Sequence, residues 1–182
     1  MYTEKKCDLS KKEIKMNTEK SDKIVKEWKQ KKNKLKRGTI TKEIIHKVSP
    51  QALFKLLCPT TEYDWIPYWE CELLHSSSGY AEYNAIFRTK INGPEETWVC
   101  TRYEPDKAVQ YVRVSKNMCG KLDISIIDNG DGTVTNTWIT TVSALNSEGN
   151  KYVEVELENY EKRFKAVSEA LKHYITTGEM IS

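Results

Sequence analysis

Apolar residues recur at helical spacing near the end of the sequence, over residues 151–175. They follow one another in steps of four and three residues and therefore share one face of a helix, while glutamates and lysines occupy the other face. The apolar stripe consists of Val153, Leu157, Tyr160, Phe164, Val167, Leu171 and Tyr174. Gly178 follows as a helix-ending residue. At 1.5 Å per residue the helix is roughly 38 Å long, so its stripe needs a broad partner surface.

The middle of the chain alternates apolar and polar residues at a period of two, which is typical of strands. Glycine, proline, asparagine and aspartate separate the alternating segments as short turn signals. The predicted strands are 71–76, 80–89, 96–104, 108–115, 120–128 and 133–144. Because the turns leave no room for crossover helices, we expect an antiparallel meander.

Before the meander, residues 39–48 have the pattern of a first strand, and Gly38 marks its boundary. Ser49 followed by Pro50 is a strong helix start, and the short apolar helix ends near Pro59. A second short helix is expected after Thr60 or Thr61. The sequence therefore predicts an α+β fold in which a curved seven-stranded antiparallel sheet wraps around the long C-terminal helix. Two short helices lie between its first and second strands.

A sheet curved in this way stands off from the helix in its middle, and large aromatic residues fall on the faces we expect to point inward. In strands 96–104 and 108–115 the pattern does not decide which face points toward the helix. In the first of these strands, the large indole of Trp98 favours the face that carries it. If Arg113 also points inward, it is a buried cation that can pair with a ligand carboxylate or phenolate. The candidate ligand-binding residues are Trp65, Trp69, Tyr83, Phe87, Trp98, Tyr111, Arg113, Trp138 and Phe164. The alternative is that these side chains simply fill the core.

Charge divides the chain into a basic extension and a mildly acidic body. Residues 1–37 carry 14 Lys and Arg against 6 Asp and Glu, whereas the rest of the chain carries 15 against 20. We expect the extension, 1–37, to be partly helical over about 21–35, and the globular domain to span 38–178. The extension lacks the arginine-and-aromatic pattern of RNA-binding tails, so no nucleic-acid partner is expected. A homodimer through its helix, which contains Trp28, is an alternative.

Composition narrows the function classes further. The five cysteines, Cys7, Cys58, Cys71, Cys100 and Cys119, form no CxxC pair, and free thiols in a reducing cytoplasm are the expected state. No apolar run approaches 18 residues, so no membrane span is expected. No cysteine and histidine pair has zinc spacing, and no glycine-rich phosphate loop is present, so we predict neither a metal nor a cofactor.

Several stretches resemble the SRPBCC/START-like superfamily, which includes polyketide cyclases and the birch pollen allergen, and in particular a bacterial subgroup of unassigned function. The stretches are LLCPTTEYDWIPYW (56–69), ETWVCTRYEPDKAVQYVRV (96–114), NGDGT (129–133) and TWITTVSALNSEGN (137–150). The resemblance covers about residues 38–176 and implies the helix-grip fold. It is weak for function, because the superfamily is defined by its pocket architecture rather than by catalytic residues.

Three functions follow as expectations. The first is binding of a hydrophobic small molecule, such as a lipid, polyketide or aromatic metabolite, between the sheet and the C-terminal helix. The second is a cyclase-, aromatase- or hydrolase-like enzyme that uses the same pocket, with Arg113, Tyr83 or His173 as polar participants and the catalytic residues unknown. The third is a protein-interaction module formed by the basic N-terminal extension.

Overall fold

The structure, a computed structural model, describes residues 11–31, 34–90 and 93–181. The chain divides into two compact units, Met1–Leu35 and Lys36–Ser182. The described residues of the first unit include the helix α1 (Lys11–Lys31), on which Ile24, Val25 and Trp28 are exposed. The helix starts before the predicted residue 21, because the preceding lysines and glutamates are also good helix formers. Residues 1–10 of the basic extension lie outside the described residues, and the dimer stays a prediction.

The second unit is built on one antiparallel sheet of seven strands in the order β1-β7-β6-β5-β4-β3-β2. The strands are β1 (Arg37–His46), β2 (Cys71–His75), β3 (Ile86–Thr89), β4 (Glu96–Glu104), β5 (Ala108–Val114), β6 (Met118–Asp128) and β7 (Val134–Ala144). The first strand pairs with the last, and each strand from β2 onward pairs with the next along the chain. This is the meander that the spacing of turn signals predicted, completed by β1 at one edge.

Two short helical segments connect β1 to β2, as predicted. The helix α2 (Pro50–Leu56) begins where the sequence indicated, since the Ser49 hydroxyl accepts a 3.2 Å hydrogen bond from the Ala52 amide and proline opens the first turn. A single 3-10 turn (Glu62–Asp64) follows. The indole of Trp65 is fully buried directly after this turn and donates a 2.9 Å hydrogen bond to the carbonyl of Leu56. This bond ties the 3-10 turn to the end of α2.

The C-terminal helix α3 (Gly149–Thr177) lies on the concave face of the sheet and contacts β7, β1 and β6. Its predicted stripe is the packed face, with Val153, Tyr160 and Leu171 all buried. Gly178 ends the helix in the left-handed conformation with φ of 74°, which glycine adopts without a steric penalty. The predicted α+β helix-grip architecture is therefore confirmed.

One predicted strand is much shorter than expected. The alternation over 80–89 predicted a ten-residue strand, but β3 covers only its last four residues, and a turn precedes it. Asn84 adopts a left-handed conformation with φ of 66°, which asparagine tolerates and which ends extended pairing. The prediction that Tyr83 points inward is therefore wrong, since its side chain is 64% exposed.

Candidate functional site

A cavity of about 480 Å³ lies between the concave face of the sheet and the part of α3 from Tyr152 to Val167. Side chains from β3 to β7 form one wall, α3 forms the other, and the segment from Pro59 to Trp69 closes the space beside α2. Tyr152 and Val155 are 40% and 54% exposed and also line the cavity. The cavity therefore opens to solvent near the beginning of α3.

Seven of the nine candidate ligand-binding residues line this cavity. They are Trp69, Phe87, Trp98, Tyr111, Arg113, Trp138 and Phe164. The other two do not: Trp65 lies in the packed cluster with Leu53 and Leu57, and Tyr83 is exposed on the turn before β3. The open side-chain direction in strands β4 and β5 is thus resolved, with Trp98, Tyr111 and Arg113 all facing inward. That these seven residues bind a ligand stays a prediction.

The aromatic rings are held in place by contacts with one another. Phe87 stacks on Trp98 with ring centroids 5.6 Å apart, and Tyr111 meets both rings edge-on. On the side of α3, Phe164 stacks on Tyr160 at 5.9 Å and meets Trp138 edge-on at 6.0 Å. These are favourable aromatic contact geometries, and they hold the cavity walls in place both on the sheet and on α3.

The polar atoms of these aromatic residues are already hydrogen-bonded within the protein. The indole of Trp98 donates to the Thr89 hydroxyl at 2.9 Å, and that of Trp69 donates to the carbonyl of Pro59 at 2.8 Å. The Tyr111 hydroxyl donates to the carbonyl of Leu57 at 3.2 Å, and burial raises the pKa of this phenol well above its ordinary value. The rings therefore present apolar surface to the cavity.

A cluster of ion pairs lies on the cavity wall close to α3. The Arg113 guanidinium donates to Glu96 at 2.7 Å and to Glu156 at 2.5 Å, and Arg163 binds the other oxygen of Glu156 at 2.8 Å. Arg113 also lies over the ring of Trp98, with its central carbon 5.3 Å from the ring centroid. The sequence alone does not indicate Glu96, Glu156 and Arg163, because the packing of α3 against the sheet decides which charges meet across the cavity.

Gly120 makes room for this guanidinium. It pairs directly with Arg113 across β5 and β6, and a Cβ atom at position 120 would lie 2.6 Å from Nε of Arg113. That distance is far inside van der Waals contact, so any side chain at this position would displace the guanidinium. The absence of a side chain at Gly120 thus positions Arg113 against its two carboxylates.

The cluster stays ionised because its members stabilise one another. Burial by itself would lower the pKa of Arg113, but the charges and hydrogen bonds of Glu96 and Glu156 raise it. Burial likewise opposes ionisation of Glu156, yet Arg113 and Arg163 together hold its pKa below the ordinary value. The expectation that Arg113 pairs with a ligand carboxylate has to be revised, since the guanidinium is already paired with two protein carboxylates.

A third carboxyl on the cavity wall has a different environment. Glu62 lies in the 3-10 turn, lines the cavity and is only partly accessible. Burial raises its pKa to about 8, so it is mainly a neutral carboxylic acid at pH 7. The sequence did not single out Glu62, because the same segment also holds Asp64, and only the folded structure shows which of the two lines the cavity.

Of the three residues expected to take part in catalysis, only Arg113 lines the cavity. Among the proposed polar participants of an enzyme, His173 does not line the cavity and Tyr83 is exposed, whereas Arg113 is in the ion-pair cluster.

Within the described residues there is no group of three or more His, Cys, Asp or Glu side chains placed to hold a metal ion. In the same part of the chain, no helix is apolar enough over a sufficient length to cross a membrane.

Comparisons with solved structures place this fold among known ones. An uncharacterized protein from Rhizobium leguminosarum is similar over 78% of this chain and 96% of its own, with a TM-score of 0.59 and 10% identity. Norcoclaurine synthase from Thalictrum flavum, solved with dopamine and hydroxybenzaldehyde, matches over 79% of this chain and 88% of its own, with a TM-score of 0.59 and 12% identity. Ginseng major latex-like protein 151 from Panax ginseng matches over 76% and 97%, with a TM-score of 0.56 and 12% identity.

No family model matches the chain, and no curated protein matches it. At 10–12% identity the structural likeness establishes the fold alone. The likeness confirms the helix-grip fold that the resemblance to the SRPBCC/START-like superfamily implied.

Proposed function

We propose that this chain binds a hydrophobic small molecule in the cavity between the sheet and α3. The observation that carries the proposal is a space of about 480 Å³ with walls of aromatic rings whose polar atoms are already hydrogen-bonded to the protein. Cavities of about 300–1,000 Å³ with mainly apolar walls and a few polar groups suit guests of drug size. Norcoclaurine synthase, which has a similar fold, was solved with two aromatic guests, and this supports the same use of the fold here.

The test uses a neutral aromatic fluorophore, N-phenyl-1-naphthylamine, whose emission rises in apolar surroundings. We expect saturable binding of one fluorophore per chain. Val167 lines the cavity on α3, whereas the neighbouring Ala166 is exposed, so the Val167→Trp and Ala166→Trp variants place the same indole inside and outside. The first variant should lose binding and the second should keep it, with thermal unfolding checking that both fold.

Two outcomes would contradict the proposal. One is the absence of saturable binding to the unmodified protein. The other is equal affinity of the fluorophore for both tryptophan variants, which would place the binding site outside the cavity.

An enzyme that uses the same cavity is a second candidate, and Glu62 favours it. General acid–base catalysis needs a group with a pKa near the working pH that faces the bound substrate, and Glu62 lines the cavity with a pKa of about 8. Guests that bind can be recovered after incubation and analysed by mass spectrometry. Chemical conversion by the unmodified protein and not by the Glu62→Gln variant would support catalysis, and unchanged guests would argue against it.

A further inference from the structure

Among the described residues, five Arg and Glu side chains line the cavity, and the carboxyls outnumber the cations. Two are cations, Arg113 and Arg163, and three are carboxyls, Glu62, Glu96 and Glu156. The two cations pair with Glu96 and Glu156 at 2.5–2.8 Å, and the Arg113 side chain is only 13% exposed. This part of the wall is therefore electrically neutral as it stands, and Glu62 is the carboxyl left without a cation.

The surroundings of Glu62 offer its carboxyl no partner. In the described part of the chain, neither a hydrogen bond nor an ion pair to the Glu62 carboxyl is formed, while Glu96 and Glu156 each have both. The polar groups nearby are already engaged, since Tyr111 donates to Leu57 and Trp69 donates to Pro59. Glu62 is thus a carboxyl exposed to the cavity with its hydrogen-bonding capacity unused.

Glu62 is also separate from the ion-pair cluster. Burial is the main cause of the raised pKa of both Tyr111 and Cys71, and the charge of Glu62 adds to it in each case. The charges that act on Arg113 come instead from Glu96 and Glu156. The charge of Glu62 thus acts on Tyr111, two residues before Arg113 in β5, and Glu62 lines the cavity from the same chain segment as Pro59, Ile66 and Trp69.

We propose that the cavity selects guests in which an apolar body carries a basic amine, and that Glu62 is the residue that binds the ammonium group. The inference rests on the proposed function, because it assigns the polar contact of the same cavity. The apolar body would lie against the aromatic rings. The ammonium would supply the cation that Glu62 needs once it ionises, in a charge-assisted hydrogen bond to the carboxylate.

Other classes of guest fit the same wall less well. A guest carboxylate would need a cation, but both guanidiniums are already paired, and it would also add a second acid to a cavity that holds Glu62. A neutral alcohol or ketone could use Glu62 only as a single neutral hydrogen-bond partner. Charge-assisted hydrogen bonds are about twice as strong as neutral ones. We therefore expect an amine to bind roughly tenfold or more tightly than the alcohol of the same skeleton.

Binding of an amine should release a proton. An alkylamine is already an ammonium ion at pH 7. The empty cavity holds Glu62 mainly as the carboxylic acid, because its pKa is about 8. When the ammonium enters, the carboxyl loses its proton to solvent and the resulting carboxylate pairs with the guest. The protein should thus release close to one proton per amine at pH 7, and fewer at pH 9, where Glu62 is already ionised in the empty protein.

The experiment compares three guests with one apolar skeleton: 2-(2-naphthyl)ethylamine, 2-(2-naphthyl)ethanol and 3-(2-naphthyl)propionate. Affinities come from isothermal titration calorimetry and from displacement of N-phenyl-1-naphthylamine. Calorimetry in buffers of different ionisation enthalpy gives the number of protons released. The variants are Glu62→Gln, which keeps the shape but cannot ionise, and Glu70→Gln as the control, since Glu70 is exposed and lies outside the cavity lining.

We expect the unmodified protein and Glu70→Gln to prefer the amine over the alcohol and to release a proton on binding it. Glu62→Gln should lose both the preference and the proton release while keeping its affinity for the alcohol and the neutral fluorophore. The proposal is overturned if the unmodified protein binds amine and alcohol equally, if no proton is released, or if Glu62→Gln keeps the amine preference. Failure of this inference alone leaves fluorophore binding intact, whereas loss of fluorophore binding to the unmodified protein overturns the proposed function as well.

Discussion

Replacing Glu62 by glutamine should change how the stability of the protein depends on pH. In the folded protein burial raises the pKa of this carboxyl from 4.5 to about 8. Between these two pH values the folded chain keeps a proton that the unfolded chain has lost. Stability must therefore fall as pH rises through this window, and the full loss is reached above the folded pKa. Glutamine cannot ionise, so the Glu62→Gln variant should not show this loss.

The structure sets the size of the effect. The difference between 4.5 and about 8 corresponds to roughly 5 kcal/mol if the carboxylate stays unsolvated. Glu62 faces a cavity that opens to solvent, and water entering it would reduce the loss to about 2 kcal/mol. We thus expect Glu62→Gln to match the unmodified protein at pH 5 and to be more stable by about 2–5 kcal/mol at pH 9.

The assay is urea unfolding followed by tryptophan fluorescence at pH values from 5 to 9, with Glu70→Gln as the control. Other ionisable groups affect both proteins alike and cancel in the difference between variant and unmodified chain. If the stabilities of Glu62→Gln and the unmodified protein run parallel across this range, Glu62 does not carry a raised pKa. The proton release proposed for amine binding would then lose its basis.

Three further outcomes are expected from substitutions elsewhere. Gly120→Val should displace the Arg113 guanidinium and leave Glu96 without its cation, while Glu156 keeps Arg163, which lowers the free energy of unfolding by about 3 kcal/mol; an unchanged urea midpoint would contradict this. Phe87→Ala should cost about 3–5 kcal/mol, because Phe87 is 3% exposed and stacks on Trp98; a loss below 1 kcal/mol would mean that this wall is loosely packed. Burial lowers the pKa of His46 from 6.5 to about 4, so about 3 kcal/mol of stability should be lost as pH falls through that window; His46→Leu should lose less, and equal acid sensitivity would contradict the assignment.

The sequence was sufficient to predict the layers of the fold. The stripe from Val153 to Tyr174 and the evenly spaced turn signals are local patterns, and each limits the chain to one helix or to paired strands. Together they leave few architectures that bury both the apolar stripe of the helix and the apolar face of the sheet. The length of β3 was not predictable in the same way, because the alternation over 80–89 continues past Asn84, whose left-handed backbone ends the pairing.

The candidate site was predictable in its apolar part and much less so in its polar part. Large rings such as those of Trp98, Trp138 and Phe164 have a strong preference for burial, which fixes the side to which they point. The partners of Arg113 come from β4 and α3. They depend on how these elements pack against β5, and no local sequence pattern predicts that packing. The raised pKa of Glu62 likewise arises from the surrounding walls, which form only when the 3-10 turn packs beside the cavity.

A crystal structure of the protein with 2-(2-naphthyl)ethylamine is the measurement that tests the central claim most directly. The claim is that the space between α3 and the sheet holds an apolar guest. We predict electron density for the naphthyl group among Trp98, Trp138 and Phe164, with the amine nitrogen within hydrogen-bond distance of the Glu62 carboxylate. Density for the guest only on the outer surface, or a space closed by the walls with no guest inside, would contradict the account.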